Sequence, residues 1–196
     1  MPFTFQYNKT SQHQLGKQLK MRHAALPVLK NKESALRVEV ARYRVQWVEL
    51  QGASQALGEQ ATSLHAVLGP FPMSLVVPGK PVLSRRKIAG VVIPVFEELT
   101  LERKPALLHS MPPTQGDVVL FLRNWARVLT QEQTAAKQVA ILERERKRTT
   151  QKVNLYEKVQ IPQMEEALKK IKRFLEDEQN LAKSAQKMVK ARKESA

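Results

Sequence analysis

Cysteine is absent from the chain. That excludes disulfide bridges, thiolate nucleophiles and every zinc site built on Cys ligands, and it fits a reducing compartment. Glycine is scarce, with 7 residues in 196, and aromatic residues make up only 6%. So few rings and so few flexible points suit long regular helices better than a compact globule. Long apolar runs are missing as well. The longest uncharged stretch, Gln60–Gly79, contains His65, Gly69, Pro70, Pro72 and Pro78, so no membrane helix is expected. Residues Met1–Asn8 show no charged region leading into an apolar run, and no signal peptide is expected.

The motifs of catalysis are missing too. No G-x-x-x-x-G-K-[ST] loop occurs, and Gly79-Lys80 is followed by Pro81 in an expected turn, so nucleotide binding is not expected. His13, His23, His65 and His109 are scattered, with no H-E-x-x-H and no close pair. Catalytic residues, cofactors and metal ligands are therefore each expected to be none. Asn8-Lys9-Thr10 matches a glycosylation sequon, which without secretion is an accident of sequence.

Positive charge is abundant: the net charge is +15 and the pI about 10.2. A surplus of this size raises nucleic acid as a partner. Its distribution argues against one, because residues 8–68, 69–116 and 117–196 carry +5, +3 and +7. The one tight cluster, Arg144, Arg146, Lys147 and Arg148, is interrupted by Glu143 and Glu145 and reads first as a solvated helix face. The acidic run Glu176-Asp177-Glu178 reads the same way.

Apolar residues, 42% of the chain, are patterned. Steps of four and three from Leu15 pass through Leu19, Arg22, Leu26, Leu29, Glu33, Leu36, Val40, Tyr43, Trp47, Leu50, Ser54, Leu57, Ala61, Leu64 and Leu68. Only Arg22, Glu33 and Ser54 break an otherwise apolar seam, the signature of a coiled coil. Arg22 and Glu33 have two readings, register control or contact with a surrounding partner. Pro27 predicts a kink or a late helix start, and Gly52 and Gly58 weaken the far end.

A second seam holds one register through Trp125, Val128, Glu132, Ala135, Val139, Leu142, Arg146, Thr149, Val153 and Tyr156. It resumes one residue out of step through Met164, Leu168, Ile171, Leu175, Glu178, Ala182, Ala185 and Val189, with Pro162 at the slip. Between the seams, Gly69-Pro70-Phe71-Pro72 stops the first helix. Short β-rich runs follow at Ser74–Val77, Val82–Ser84, Ile88, Val91–Phe96 and Leu99–Leu101. Pro78-Gly79 reads as their turn, Pro94 marks an edge strand, and Pro112-Pro113 and Gly116 lead back to helix.

The expected fold is mainly α. Two long helices, 1–68 and 117–196, form an antiparallel coiled coil, with a small β-hairpin unit within 69–116 at the bend. If Leu68 faces Asp117, facing residue numbers add to roughly 185 along the pair. The second helix then projects past the first.

At this point the residues resemble a known family. Asn8-Lys9-Thr10 with Leu15, Leu19 and Leu29-Lys30-Asn31-Lys32 is similar to the opening of the D subunit of V/A-type rotary ATPases. Arg148–Pro162, RTTQKVNLYEKVQIP, resembles that family's basic run into Val-Asn-x-x-Glu and Ile-Pro, and Lys87–Leu99, KIAGVVIPVFEEL, its central hairpin. Lys152 stands where an Arg is usual, and Leu26-Pro27-Val28 replaces an uninterrupted helix. The resemblance implies a non-catalytic central shaft that transmits torque between an ATP-hydrolysing or ATP-synthesising ring and a membrane ion-translocating ring. It implies as partners the ring of catalytic A and B subunits, the small F subunit and a membrane-side socket subunit. Nucleic acid, small-molecule substrates and membrane insertion are not among them. It also implies a cytoplasmic site at the inner face of the membrane.

A ring bore admits two helices but not a β unit, so the end with both termini is expected inside it. Leu15, Leu19, Lys183, Lys187 and Lys190 are the expected bore contacts, with Lys183–Lys193 deepest. Trp47, Gln51, Gln133, Lys137 and Ile93 are the expected contacts with the F subunit or the socket. Three rival readings remain. A basic coiled-coil adaptor or nucleic-acid-binding protein explains the charge but not the β unit. The gamma subunit of an F-type ATPase needs a larger α/β middle than 69–116 can hold. A stand-alone enzyme lacks any convergent constellation.

Overall fold

A computed structural model describes residues 5–68, 77–102 and 114–194. Helix α1 spans Lys9–Leu68, strands β1 and β2 span Val77–Ile88 and Val91–Glu102, and helix α2 spans Thr114–Asn154. A π-helical turn, Leu155–Gln160, joins α2 to helix α3, Ile161–Glu194. The residues read as helix stops, Gly69-Pro70-Phe71-Pro72 and Pro112-Pro113, lie outside the described residues, as do Ser74, Leu75 and Val76. The chain divides into two compact units, Met1–Glu33 with Arg148–Ala196, and Ser34–Lys147.

Helix α1 starts where its first free N–H groups find an acceptor: the Asn8 side-chain oxygen accepts the Ser11 N–H at 2.7 Å. The late start allowed for by Pro27 does not occur. The helix passes through Pro27, whose missing N–H leaves the His23 carbonyl without its usual partner. Along α1 the anticipated seam is the buried face. Leu15, Leu36, Val40, Tyr43 and Ser54 are buried, and every other seam position through Leu64 is half-buried.

Both units pair their helices antiparallel. In the unit with the termini, Arg22 meets Gln160, His23 meets Glu165 and Lys30 meets Glu157. In the other unit, Arg44 meets Glu143 and Gly58 lies beside Trp125. Facing residue numbers in these pairs add to between 182 and 188, close to the value expected from the sequence.

The one-residue slip in the second seam has a structural cause. In the π turn the Ile161 N–H bonds back to the Tyr156 carbonyl, five residues earlier rather than four. A π turn absorbs one extra residue, which carries the seam from Val153 in α2 to Met164 in α3. Pro162 cannot donate a hydrogen bond, so the wider turn ahead of it accommodates its ring.

The hairpin corrects one expectation. Its turn is Ala89-Gly90, with φ of 47° and 81°, and not Pro78-Gly79. Positive φ at both residues is the type I′ geometry that matches strand twist in a two-residue loop. Pro78-Gly79 instead lies inside β1, where the register shifts between Pro78 and Pro81. Gly79 is required there, because a Cβ would collide with the Thr100 carbonyl. The hairpin also folds back along its own unit. Val91 and Ile93, with Ile88 and Ala89, pack on Leu36, Val40, Tyr43, Trp47, Val139 and Leu142. Gln138 fixes this seat by donating to the Pro94 carbonyl at 2.6 Å.

Candidate partner-binding surfaces

The unit with both termini is two helices and nothing else among its described residues, apart from the short segment leading into α1. Its core is Leu15, Met164, Ala167 and Ile171, flanked by Phe5, Leu19, Leu168 and Leu175. The polar seam residues turn inward. The Arg22 Nε donates to Gln160 Oε1 at 2.7 Å, its guanidinium lies 5.7 Å from the centre of the Tyr156 ring, and Nη1 donates to the Gln18 carbonyl at 3.3 Å. Thr150 donates to Glu33 at 3.3 Å. Both residues are thus engaged across the helix pair, which favours register control over contact with a surrounding partner. The exposed bridges Lys30–Glu157 and His23–Glu165 add at most about 1 kcal/mol each.

Beyond Leu175 the helix α3 leaves the unit's core, and every residue from Glu176 to Glu194 is exposed. Lys183, Lys187 and Lys190 lie here, with Lys190 3.9 Å from Glu194. Leu181, Met188 and Val189 are exposed apolar side chains on the same segment. Nearby, Phe5 packs edge-on against Tyr7, and Tyr7 tilts against Phe174 at 5.0 Å between centroids. The Glu166–Lys170 pair, 2.8 Å apart, holds the Glu166 carboxyl below its ordinary range through the Lys170 hydrogen bond and charge. The same contact holds the Lys170 ammonium above its ordinary range.

The anticipated bore contacts therefore fall into two groups. Lys183, Lys187 and Lys190 are exposed surface. Leu15 is buried and Leu19 half-buried in the unit's own core, so their apolar surface is already occupied by α3.

In the second unit Gln51, Gln133 and Lys137 are exposed. Trp47 is half-buried against the core, and its indole N–H finds no hydrogen-bond partner among the described residues. Ile93 is fully buried under the hairpin. Its side chain holds the hairpin to the helices and presents no surface of its own in this structure.

Sequence reasoning missed a second stripe on α1. Val38, Ala41, Val45, Val48 and Gly52 are all exposed and recur at alternating steps of three and four. Relative to the seam they occupy the face turned away from α2, where a two-helix coiled coil normally carries polar residues. Val38, Val45 and Val48 are 66%, 58% and 59% exposed, and nothing lies within 4 Å of a Cβ placed on Gly52. The signal was available in the sequence as a second three-four repeat beside the first.

Between β2 and α2 an open cleft of about 730 Å³ is lined by Glu97, Glu98, Thr100, Arg123 and Arg127. Its walls carry both signs of charge. Among the described residues no group of three or more His, Asp and Glu is placed to hold a metal ion, and no helix is long and apolar enough to cross a membrane.

Comparison with known proteins agrees with this geometry. The family model for the D subunit of ATP synthase matches residues 11–191. The D subunit of the V-type ATP synthase of Borreliella burgdorferi is 29% identical over 188 residues, covering 93% of each chain. The V-type ATP synthase D subunits of Chlamydia felis and Chlamydia trachomatis are 30% and 27% identical. They cover 87% and 93% of this chain and 86% and 92% of their own. With the family model matched almost from end to end and a hairpin set between two long paired helices, this chain belongs to the family of ATP synthase D subunits.

Proposed function

We propose that the chain is the central shaft of a V-type rotary ATPase, carrying torque and catalysing nothing itself. The observation that supports this best is the unit with both termini. There two antiparallel helices pair without any β element among the described residues, and α3 continues from Glu176 to Glu194 as exposed helix. A rod two helices wide, roughly 20 Å, fits a bore. A rotating part cannot keep one fixed interface, so diffuse charge from Lys183, Lys187 and Lys190 suits it better than a few anchoring contacts.

In the hairpin-bearing unit the Val38–Gly52 stripe is the seat for a lasting contact, with one subunit that turns together with the shaft. Its heptad spacing fits an amphipathic helix laid along α1. We assign it to the small F subunit, with Gln51 alongside. The complex is peripheral to the cytoplasmic face of the membrane in this reading, with the A and B subunits around the rod and a socket subunit below.

Truncation tests the polarity. Deleting residues 183–196 is expected to leave binding of the F subunit unchanged while weakening assembly with the A and B ring or its coupling to ion flow. Loss of F-subunit binding with a normal ring would mean the shaft stands the other way round.

A further inference from the structure

Among the described residues the hairpin is a two-stranded sheet, so each strand has one edge without a strand neighbour there. The two edges are treated differently. The outer edge of β2 is turned to α2, since the Pro94 carbonyl accepts the Gln138 side chain. The outer edge of β1 has no such cover among the described residues.

The turn fixes which groups lie on that edge. In a two-residue hairpin, Ile88 and Val91 form the closing hydrogen-bonded pair, and hydrogen-bonded pairs then alternate with open ones. Lys87↔Val92, Arg85↔Pro94 and Leu83↔Phe96 are the open pairs of the ladder. The N–H and C=O groups of Leu83, Arg85 and Lys87 therefore point away from β2. Pro94 at an open pair agrees with this phase, because its missing N–H costs the ladder nothing there and its carbonyl is the one Gln138 reaches.

Natural sheets blunt bare edges with proline, bulges and charge. Here the first two devices, Pro78, Pro81 and the register shifts up to Val82/Leu83, are confined to one half of β1. The half from Leu83 to Ile88 is regular. It is also strongly basic: Arg85, Arg86 and Lys87 are exposed, and their cross-strand neighbours Pro94, Ile93 and Val92 carry no acid. Leu83 and Val92, 43% and 53% exposed, add apolar surface on the sheet face that carries Arg85 and Lys87. A second copy of this chain is a poor occupant, because antiparallel pairing of two such edges sets Arg and Lys against Arg and Lys.

We propose that the Leu83–Lys87 edge of β1 accepts an extended acidic segment of another protein in the complex, added as a third strand. Backbone groups of Leu83, Arg85 and Lys87 supply the hydrogen bonds, and Arg85, Arg86 and Lys87 select the acidic sequence. This goes beyond the shaft reading, and it can fail while that reading stands, since rotation does not need a third strand.

The test uses the full-length chain with a blocked nine-residue peptide alternating Glu with Val or Thr. A twin of the same side chains, N-methylated at alternate residues, lacks the backbone donors of one edge. Amide exchange is followed residue by residue. Bound peptide is expected to slow exchange at Leu83, Arg85 and Lys87 by at least about tenfold, with Ser84 and Arg86 unchanged because they already sit in the ladder. The N-methylated twin and the Arg85→Glu/Lys87→Glu variant should each bind at least about tenfold more weakly, about 1.4 kcal/mol. The same three amides should slow when the chain is assembled into the ATPase. Four results would overturn the proposal. One is equal binding by the N-methylated twin, which means charge adhesion alone. Another is no protection at about 1 mM peptide. The others are amides already slow in the free chain, and exchange at the edge unchanged by assembly.

Discussion

Leu36→Ala measures how much the paired helices depend on the seam. Leu36 is fully buried and belongs to the cluster that joins α1, α2 and the hairpin turn. Truncation removes three carbon atoms from a site walled by Val40, Val139, Leu142 and Ile93, which are themselves held by the helices and the sheet and collapse little. The expected loss is about 3–4 kcal/mol, the transfer term plus the cavity term. At about 2–4 °C per kcal/mol for a chain of this size, the melting temperature should fall by about 6–16 °C. Leu175 is only half-buried at the edge of the other cluster, so Leu175→Ala should cost about 1–2 kcal/mol. Val45→Ala, on the exposed stripe, should change stability by less than about 0.5 kcal/mol. Urea titrations of the isolated chain, with amide exchange to locate the loosened unit, give all three. Equal losses for Leu36→Ala and Val45→Ala would refute the assignment of the seam as the buried face.

Further outcomes follow from the same packing. Gly58→Ala should stabilise the chain by about 0.5–1 kcal/mol, since the new methyl would sit in ordinary contact 3.6 Å from Trp125 while helix propensity improves. Gly79→Ala should instead disrupt β1 against Thr100, seen as faster exchange across the hairpin with the helices unchanged. The lowered Glu166 carboxyl favours the folded chain above its ordinary value of about 4.5, and that contribution disappears as pH falls through the lowered value. The pair is fully exposed, so Glu166→Gln should leave the melting temperature at pH 7 within about 1 °C of the parent.

The seam was legible because one long three-four repeat leaves few alternatives: Leu15, Leu36, Val40 and Tyr43 had to share a face, and the antiparallel register followed from the short connection. The slip at Pro162 was visible as a count, while its form, a π turn closed by the Ile161 N–H, depends on backbone geometry that a sequence does not carry. The hairpin turn was misplaced for a physical reason. Pro-Gly satisfies the φ demands of a type II turn, but a two-residue hairpin loop favours type I′. That requires positive φ at Ala89, a strain of about 1–2 kcal/mol that alanine gives no sign of accepting. That Ile93 faces the helices was not legible, because strand alternation does not say which face is covered. The Val38–Gly52 stripe was overlooked because one satisfied seam ends the search unless the opposite face is tested for the same repeat.

The central claim is that this chain turns. Its lack of cysteine allows one unique label, and Lys80→Cys places that label on an exposed part of β1. With the A and B ring fixed to a surface and a bead attached at position 80, ATP should drive stepwise rotation of the bead in one direction. A bead that stays fixed while the complex hydrolyses ATP at its normal rate would contradict the account.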